Sequence, residues 1–263
     1  MESKFLVPIK RTGEASPLFF VPSVGTTVLS LVHLARALQS PRPFHAFEFL
    51  EFAIPERLVT IEHVSSLCVK EIRAVQAAGP YYIGGHCWGG AVAFDIAARL
   101  EATGNDVAHV MILESVPPLT IEMGDVGDLP AETFKAVNEM FQQVRDRLAT
   151  LPSELAKRFG PVTWELIDLS LRYRPTSLVR APVLLIRSPT HPESVFDRWT
   201  LLTTGGFAER IVPGDAFSIL TAPTVKIVAA ALDEALRQRD GPPNARGTSP
   251  EQQKGDGAGE ERD

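Results

Sequence analysis

Apolar residues fall along this chain in short unbroken runs separated by stretches with helical spacing. Leu18-Phe19-Phe20-Val21 is one such run, and its length and abrupt ends predict a buried strand. Pro22-Ser23-Val24-Gly25-Thr26-Thr27 reads as a loop, and Leu29, Val32, Leu34, Ala35 and Leu38 form the apolar side of a helix. Phe44 to Phe49 alternates as a strand, and a second helix opens at Thr60 and stops at Gly79-Pro80. Tyr81-Tyr82-Ile83-Gly84-Gly85 is a strand, Gly89 to Leu100 a helix closed by Gly104, and Val107 to Leu113 a strand interrupted only by His109. An apolar run of that kind suits a parallel strand covered on both faces. Strand and helix thus alternate, which predicts an α/β fold with a parallel sheet.

Residues 117–180 break this rhythm. Phe134, Val137, Met140, Phe141, Val144 and Leu148, then Leu155 and Phe159, then Trp164, Leu166, Ile167, Leu169 and Leu171 recur at helical intervals with no strand between. An inserted helical lid over about 117–180 is expected. Val183-Leu184-Leu185-Ile186 resumes the sheet, Glu209-Arg210-Ile211-Val212 is the expected last strand, and Pro223 to Leu236 the last helix. The domain is thus expected to span 1–236. No apolar pattern survives from Arg237 onward, so a disordered tail over 237–263 is expected.

Composition narrows the classes. Apolar residues make up 44% and charged residues 22%, the balance of a globular protein, and the net charge of −6 argues against nucleic-acid binding. No run approaches the roughly 20 apolar residues of a membrane helix, and the first ten residues lack the apolar core of a signal peptide, so a cytoplasmic protein without membrane contact is expected. The two cysteines, Cys68 and Cys87, stand in unlike settings: Cys68 on the apolar side of a helix, Cys87 in a glycine-rich turn. That argues against a disulfide framework or a metal site, and no cofactor is implied.

The turn Gly85-His86-Cys87-Trp88-Gly89 fits the strand-to-helix pattern G-x-S-x-G, with cysteine in the serine position. The simpler reading is a buried cysteine among glycines, but the strand before it and the amphipathic helix after it favour a nucleophile. A thiol ionises near pH 8.5, and a helix N-terminus lowers that value. The backbone N–H of Trp88 and one near Val24 are the expected oxyanion donors, each worth roughly 3–4 kcal/mol in the transition state.

These segments resemble the thioesterase domains of polyketide synthases and nonribosomal peptide synthetases. Leu18 to Gly25 resembles that family's first strand and oxyanion loop, Gly79 to Gly90 its nucleophile segment, and Ile211-Val212-Pro213-Gly214-Asp215 the approach to its catalytic histidine. The resemblance runs from about Leu6 to Leu236. It implies an α/β-hydrolase fold, mostly parallel with helices on both faces, acting on an acyl chain carried as a phosphopantetheine thioester by an acyl or peptidyl carrier protein. It implies Cys87 as nucleophile and Glu114, in the segment Leu113-Glu114-Ser115, as the acid. The chain departs from the family where the general base belongs: the sequence reads Pro213-Gly214-Asp215-Ala216-Phe217, and Ala216 transfers no proton. His86 and His191 are the substitutes the sequence offers, with Asp215 a third. His33, His45, His63 and His109 read as surface or packing residues. Without a base, acylation of Cys87 followed by cyclisation or transfer is expected over plain hydrolysis. A base-deficient thioesterase and an acyl-binding scaffold remain open alternatives. Met140, Phe141 and Trp164 either line an acyl pocket or fill the core of the insertion. No serine stands in a recognisable carrier-attachment segment, so substrate delivery in trans is expected.

Overall fold

The computed structural model describes residues 5–49, 60–118 and 131–240. Seven strands form one sheet in the spatial order β1-β3-β2-β4-β5-β6-β7. They are β1 (Leu6–Lys10), β2 (Leu18–Val21), β3 (Phe44–Phe47), β4 (Tyr81–His86), β5 (Val107–Leu113), β6 (Val183–Arg187) and β7 (Phe207–Ile211). Only β1 runs antiparallel; every other neighbouring pair is parallel. The α/β-hydrolase architecture expected from the sequence is therefore present.

Helices α1 (Val32–Ala37), α2 (Ile61–Val75), α3 (Trp88–Ala102) and α6 (Val225–Asp240) cover the sheet. α2 and α3 pack on one face, with Cys68, Ile72, Val92 and Ile96 against Ile83, Val110 and Ile112. α1 and α6 pack on the other, with Leu34, Val228 and Leu232 against Phe20, Met111 and Leu184. This double covering is the reason β5 reads as an unbroken apolar run: successive side chains enter opposite, equally dry layers. Helix α2 begins where Thr60 accepts a hydrogen bond from the His63 N–H at 3.1 Å, a side-chain cap that satisfies an otherwise orphaned donor.

Between β5 and β6 lie α4 (Ala131–Ala149) and α5 (Ser153–Arg172), two contacting helices whose Ala136, Val144, Leu166 and Ile167 join the α2–α3 side of the core. The expected insertion at 117–180 thus contains these two helices; residues 119–130 lie outside the described residues. None of the described helices is long and apolar enough to cross a membrane.

Two expectations need correction. The sheet opens at β1, not at Leu18–Val21. β1 lies at the sheet edge, paired on one side only with β3, and its Pro8 and half-buried pattern gave no dry run to recognise. The last helix also continues past Leu236 to Asp240, because a final helical turn needs backbone hydrogen bonds but no buried face. Residues 241–263 of the expected tail lie outside the described residues.

Candidate active site

The carboxyl ends of the parallel strands converge, as they do in open α/β sheets generally. Cys87 follows β4, Glu114 follows β5, Ser188 follows β6, and Asp215 and Ala216 sit in the loop after β7. Ser23 and Val24 come from the loop after β2.

Cys87 is the N-cap of α3 and has φ 53°, ψ −120°, a conformation costly for a residue with a Cβ. The turn is held by two bonds: the Cys87 N–H donates to Leu113 O at 2.8 Å, and the Gly90 N–H donates to Cys87 O at 2.9 Å. Close packing makes its glycines obligatory. A Cβ on Gly85 would lie 2.0 Å from Gly89 O, and one on Gly89 would lie 2.3 Å from Val21 O. The first turn of α3 is therefore pressed against both its own strand and the loop leaving β2.

The thiol is partly exposed, and what it faces is a pocket of about 90 Å³. Trp88, Val116, Met140, Phe141, Val144 and Ile167 are among its apolar lining, and Val24 borders it together with Cys87. Met140 and Phe141, left open between pocket and core, thus border the pocket. Trp164 does neither: it is half-exposed on α5, with the Arg145 guanidinium 6.0 Å from its ring.

Burial in these apolar surroundings pushes the Cys87 thiol above its ordinary value, and the nearby Glu114 carboxylate pushes it further. The Ser23 hydroxyl and the Trp88 N–H act in the opposite direction, as donors toward the sulfur. The lowered thiol pKa expected from the helix N-terminus is thus outweighed by desolvation.

Glu114 is 2% exposed and has φ 46°. Its carboxylate accepts the Ser188 N–H, and its own N–H donates to Ile186 O at 2.9 Å, so it is seated on the end of β6. Burial raises its pKa, the Ser188 donors and Arg187 lower it, and Asp215, in the loop after β7, raises it. Arg187, 3% exposed, shapes the Ser188–His191 loop: it pairs with Glu209 at 2.7 Å and donates to the carbonyls of Ser188 and His191 at 3.3 Å.

The substitutes for a base are placed elsewhere. His86 is on β4 with its Nε2 2.6 Å from Ala216 O, and burial takes its pKa down to about 4. It therefore stays neutral, donates Nε2–H to that carbonyl, and fixes the Ala216 backbone. His191 points to α4, its Nδ1 3.6 Å from Glu139 Oε2. Asp215 is spent as a cap, its Oδ1 accepting the N–H groups of Phe217 and Ser218 at 2.9 Å. Ala216 itself is 7% exposed. Among the described residues no group of three His, Cys, Asp or Glu side chains is arranged to hold a metal ion. The sequence reading missed two contributors to the site, Ser23 and Ser188. Both are common loop residues without a motif of their own, and only the strand order brings them beside Cys87 and Glu114.

Residues 16–236 match the family described as the thioesterase domain. The chain belongs to the thioesterase domain family. This thioesterase domain is 37% identical over 123 residues to an atromentin synthetase of Suillus grevillei, a match covering 46% of this chain and 13% of that protein. It is 36% identical over 114 residues to a protein of Paxillus involutus named an inactive atromentin synthetase, covering 43% of this chain and 12% of that one. The thioesterase domain thus spans a small part of the length of these curated relatives. Among solved structures it is similar to the Vlm2 thioesterase domain bound with a dodecadepsipeptide, with 29% identity and a TM-score of 0.68 over 88% of this chain and 97% of that one.

Proposed function

We propose that this thioesterase domain takes an acyl chain from a carrier-protein thioester onto Cys87 and releases it by cyclisation, transfer or hydrolysis. The observation that carries this reading is the positive-φ cysteine at the head of α3, opening into an apolar pocket walled by α4 and α5. The pair α4–α5 serves as the lid. The backbone N–H groups of Trp88 and Val24 serve as the oxyanion donors. The Vlm2 domain, whose structure holds a depsipeptide, and the synthetase relatives support a substrate delivered by a synthetase, and we place that encounter in the cytoplasm.

In the first half-reaction the Cys87 thiolate attacks the thioester carbonyl. The new C–S bond forms as the phosphopantetheine C–S bond breaks, and the departing thiolate takes up the proton that Cys87 gave up. One thioester replaces another, so little base assistance is needed. In the second half-reaction an amine, hydroxyl, carbon nucleophile or water attacks the acyl-cysteine; its bond to the carbonyl carbon forms as the C–S bond breaks, and the departing Cys87 thiolate takes up the acceptor's proton. Water is the least favoured acceptor because no imidazole at Ala216 takes its proton. Intact-mass analysis after exposure to an acyl N-acetylcysteamine thioester tests the reading. An adduct of the acyl mass that vanishes in Cys87→Ala is expected; rapid Cys87-dependent release of free acid would overturn the preference for cyclisation or transfer.

A second reading has an observation of its own in Ala216. A base-deficient thioesterase, or an acyl-binding scaffold, fits both that residue and the existence of a relative named inactive. An unacylated Cys87 under those conditions would favour the scaffold.

A further inference from the structure

The hydroxyl of Ser23 has no assigned part in the chemistry above, yet it is placed against the nucleophile. Ser23 is 3% exposed, and its buried Oγ has no hydrogen-bond partner, yet it lies close enough to the Cys87 sulfur to favour its ionisation. A buried hydroxyl without an oxygen or nitrogen partner is costly. Its position is not loose. The loop leaving β2 lies on the first turn of α3 so closely that a Cβ on Gly89 would sit 2.3 Å from Val21 O and 2.7 Å from Pro22 O. The Ser23 carbonyl is tied in turn by the Thr26 hydroxyl at 2.8 Å. The main chain on either side of Ser23 is thus fixed beside the first turn of α3, which Cys87 caps.

In a nucleophile–histidine pair an imidazolium stabilises the ionised nucleophile. Here Ala216 offers no such cation, and the Nε2–H of His86 is committed to Ala216 O. The charged group that faces the thiol is Glu114 from the end of β5; further out, Asp215 after β7 acts on Glu114, and Arg147 on α4 acts on His86 of β4 and on Asp215. Of these, Glu114 acts on the sulfur and opposes ionisation.

We propose that Ser23 is a positioning residue for the nucleophile, donating the hydrogen bond that stabilises the Cys87 thiolate in place of an imidazolium. A thiol is a weak acceptor and a thiolate a strong one, so the Ser23 bond strengthens as charge develops. It thereby offsets part of the desolvation that opposes ionisation. The hydroxyl keeps its own proton throughout. This inference rests on Cys87 being the reactive thiol, as proposed above.

The test is the pH dependence of Cys87 alkylation by iodoacetamide, followed by intact mass, in the full chain and in Ser23→Thr, Ser23→Val and Ser23→Ala. Threonine and valine have nearly the same shape, so their difference isolates the hydroxyl. Cys68 is 0% exposed, and Cys87→Ala measures any background. The alkylation midpoint is expected to rise by about one pH unit in the Val and Ala variants and to stay near wild type in Thr, about tenfold less thiolate at a fixed pH below the midpoint. Equal midpoints for Thr and Val, in variants with wild-type circular dichroism, overturn the proposal; so does an equal rise in both, which would mark packing alone. If Val does not fold, Ala against Thr decides by the same criterion. Failure of Cys87 to acylate with a thioester, beside a hydroxyl-dependent alkylation midpoint, would sink the acyl-transfer reading and leave the Ser23 assignment standing.

Discussion

Placing histidine at Ala216 converts the geometry into a measurement. The backbone there is already fixed: Ala216 O is held by His86 Nε2 at 2.6 Å, and Asp215 caps the two following N–H groups. An imidazole grown from residue 216 starts from a defined point on the loop after β7. Glu114 is within electrostatic reach of that loop, since Asp215 raises its pKa, and Glu114 also acts on the Cys87 thiol. A positioned general base contributes about 10²–10⁴-fold, or about 2.7–5.4 kcal/mol at 1.36 kcal/mol per decade. Ala216 is 7% exposed, so part of that gain is spent on accommodating the larger ring, for which overpacking typically costs about 1–3 kcal/mol. A net rise of about 10–10³-fold in deacylation is expected for Ala216→His, with a much smaller change in acylation, where thiol replaces thiol. Single-turnover mass spectrometry of a preformed acyl-enzyme separates the two steps. The added rate should grow with pH through about 6.5, the ordinary imidazole value. A folded Ala216→His variant whose acyl-enzyme decays no faster than wild type would refute the argument that this loop carries the base position.

Three further outcomes are expected. Cys87→Ser should keep the turn but lose most acylation, because a hydroxyl lacks the accessible ionised form and finds no imidazole to activate it; thiol release from an acyl thioester measures the drop, and unchanged release would count against Cys87. Gly85→Ala should destabilise by about 2–3 kcal/mol or more, since its Cβ would meet the Gly89 backbone, whereas Gly104→Ala, with φ 79° but nothing within 4 Å, should cost only about 1 kcal/mol; urea unfolding compares them. Glu114→Gln should alter the pH dependence of stability. Burial raises the folded-state pKa of Glu114, so the folded chain holds that proton longer than the unfolded chain, and stability falls as pH climbs from the unfolded value through the folded one. Unfolding midpoints taken between about pH 4 and pH 7 should fall less steeply for the glutamine variant, and parallel curves would contradict the assignment.

The sequence by itself determined whatever depends on neighbours along the chain. The apolar runs of β2, β4, β5 and β6 declared strands covered on both faces, and the glycines around Cys87 declared a turn with no room for a Cβ. That alanine stands at 216, where the family resemblance puts the base, was legible in the same way, because it is a gap in a contiguous motif. Expectations failed where local pattern is weak: β1, a half-buried edge strand, left no run to read, and the final turn of α6 needed no apolar face. The tertiary structure alone decided the company that Cys87 keeps. Parallel strand order brings Ser23, 64 positions earlier, to its side, and brings Ser188, 74 positions after Glu114, onto that carboxylate. It also decided that burial outweighs the helix terminus in setting the thiol, because desolvation depends on what packs overhead, here α4 and α5. Hydrogen-bond partners so far apart in the chain leave no periodic trace in it; only the register of the sheet makes them neighbours.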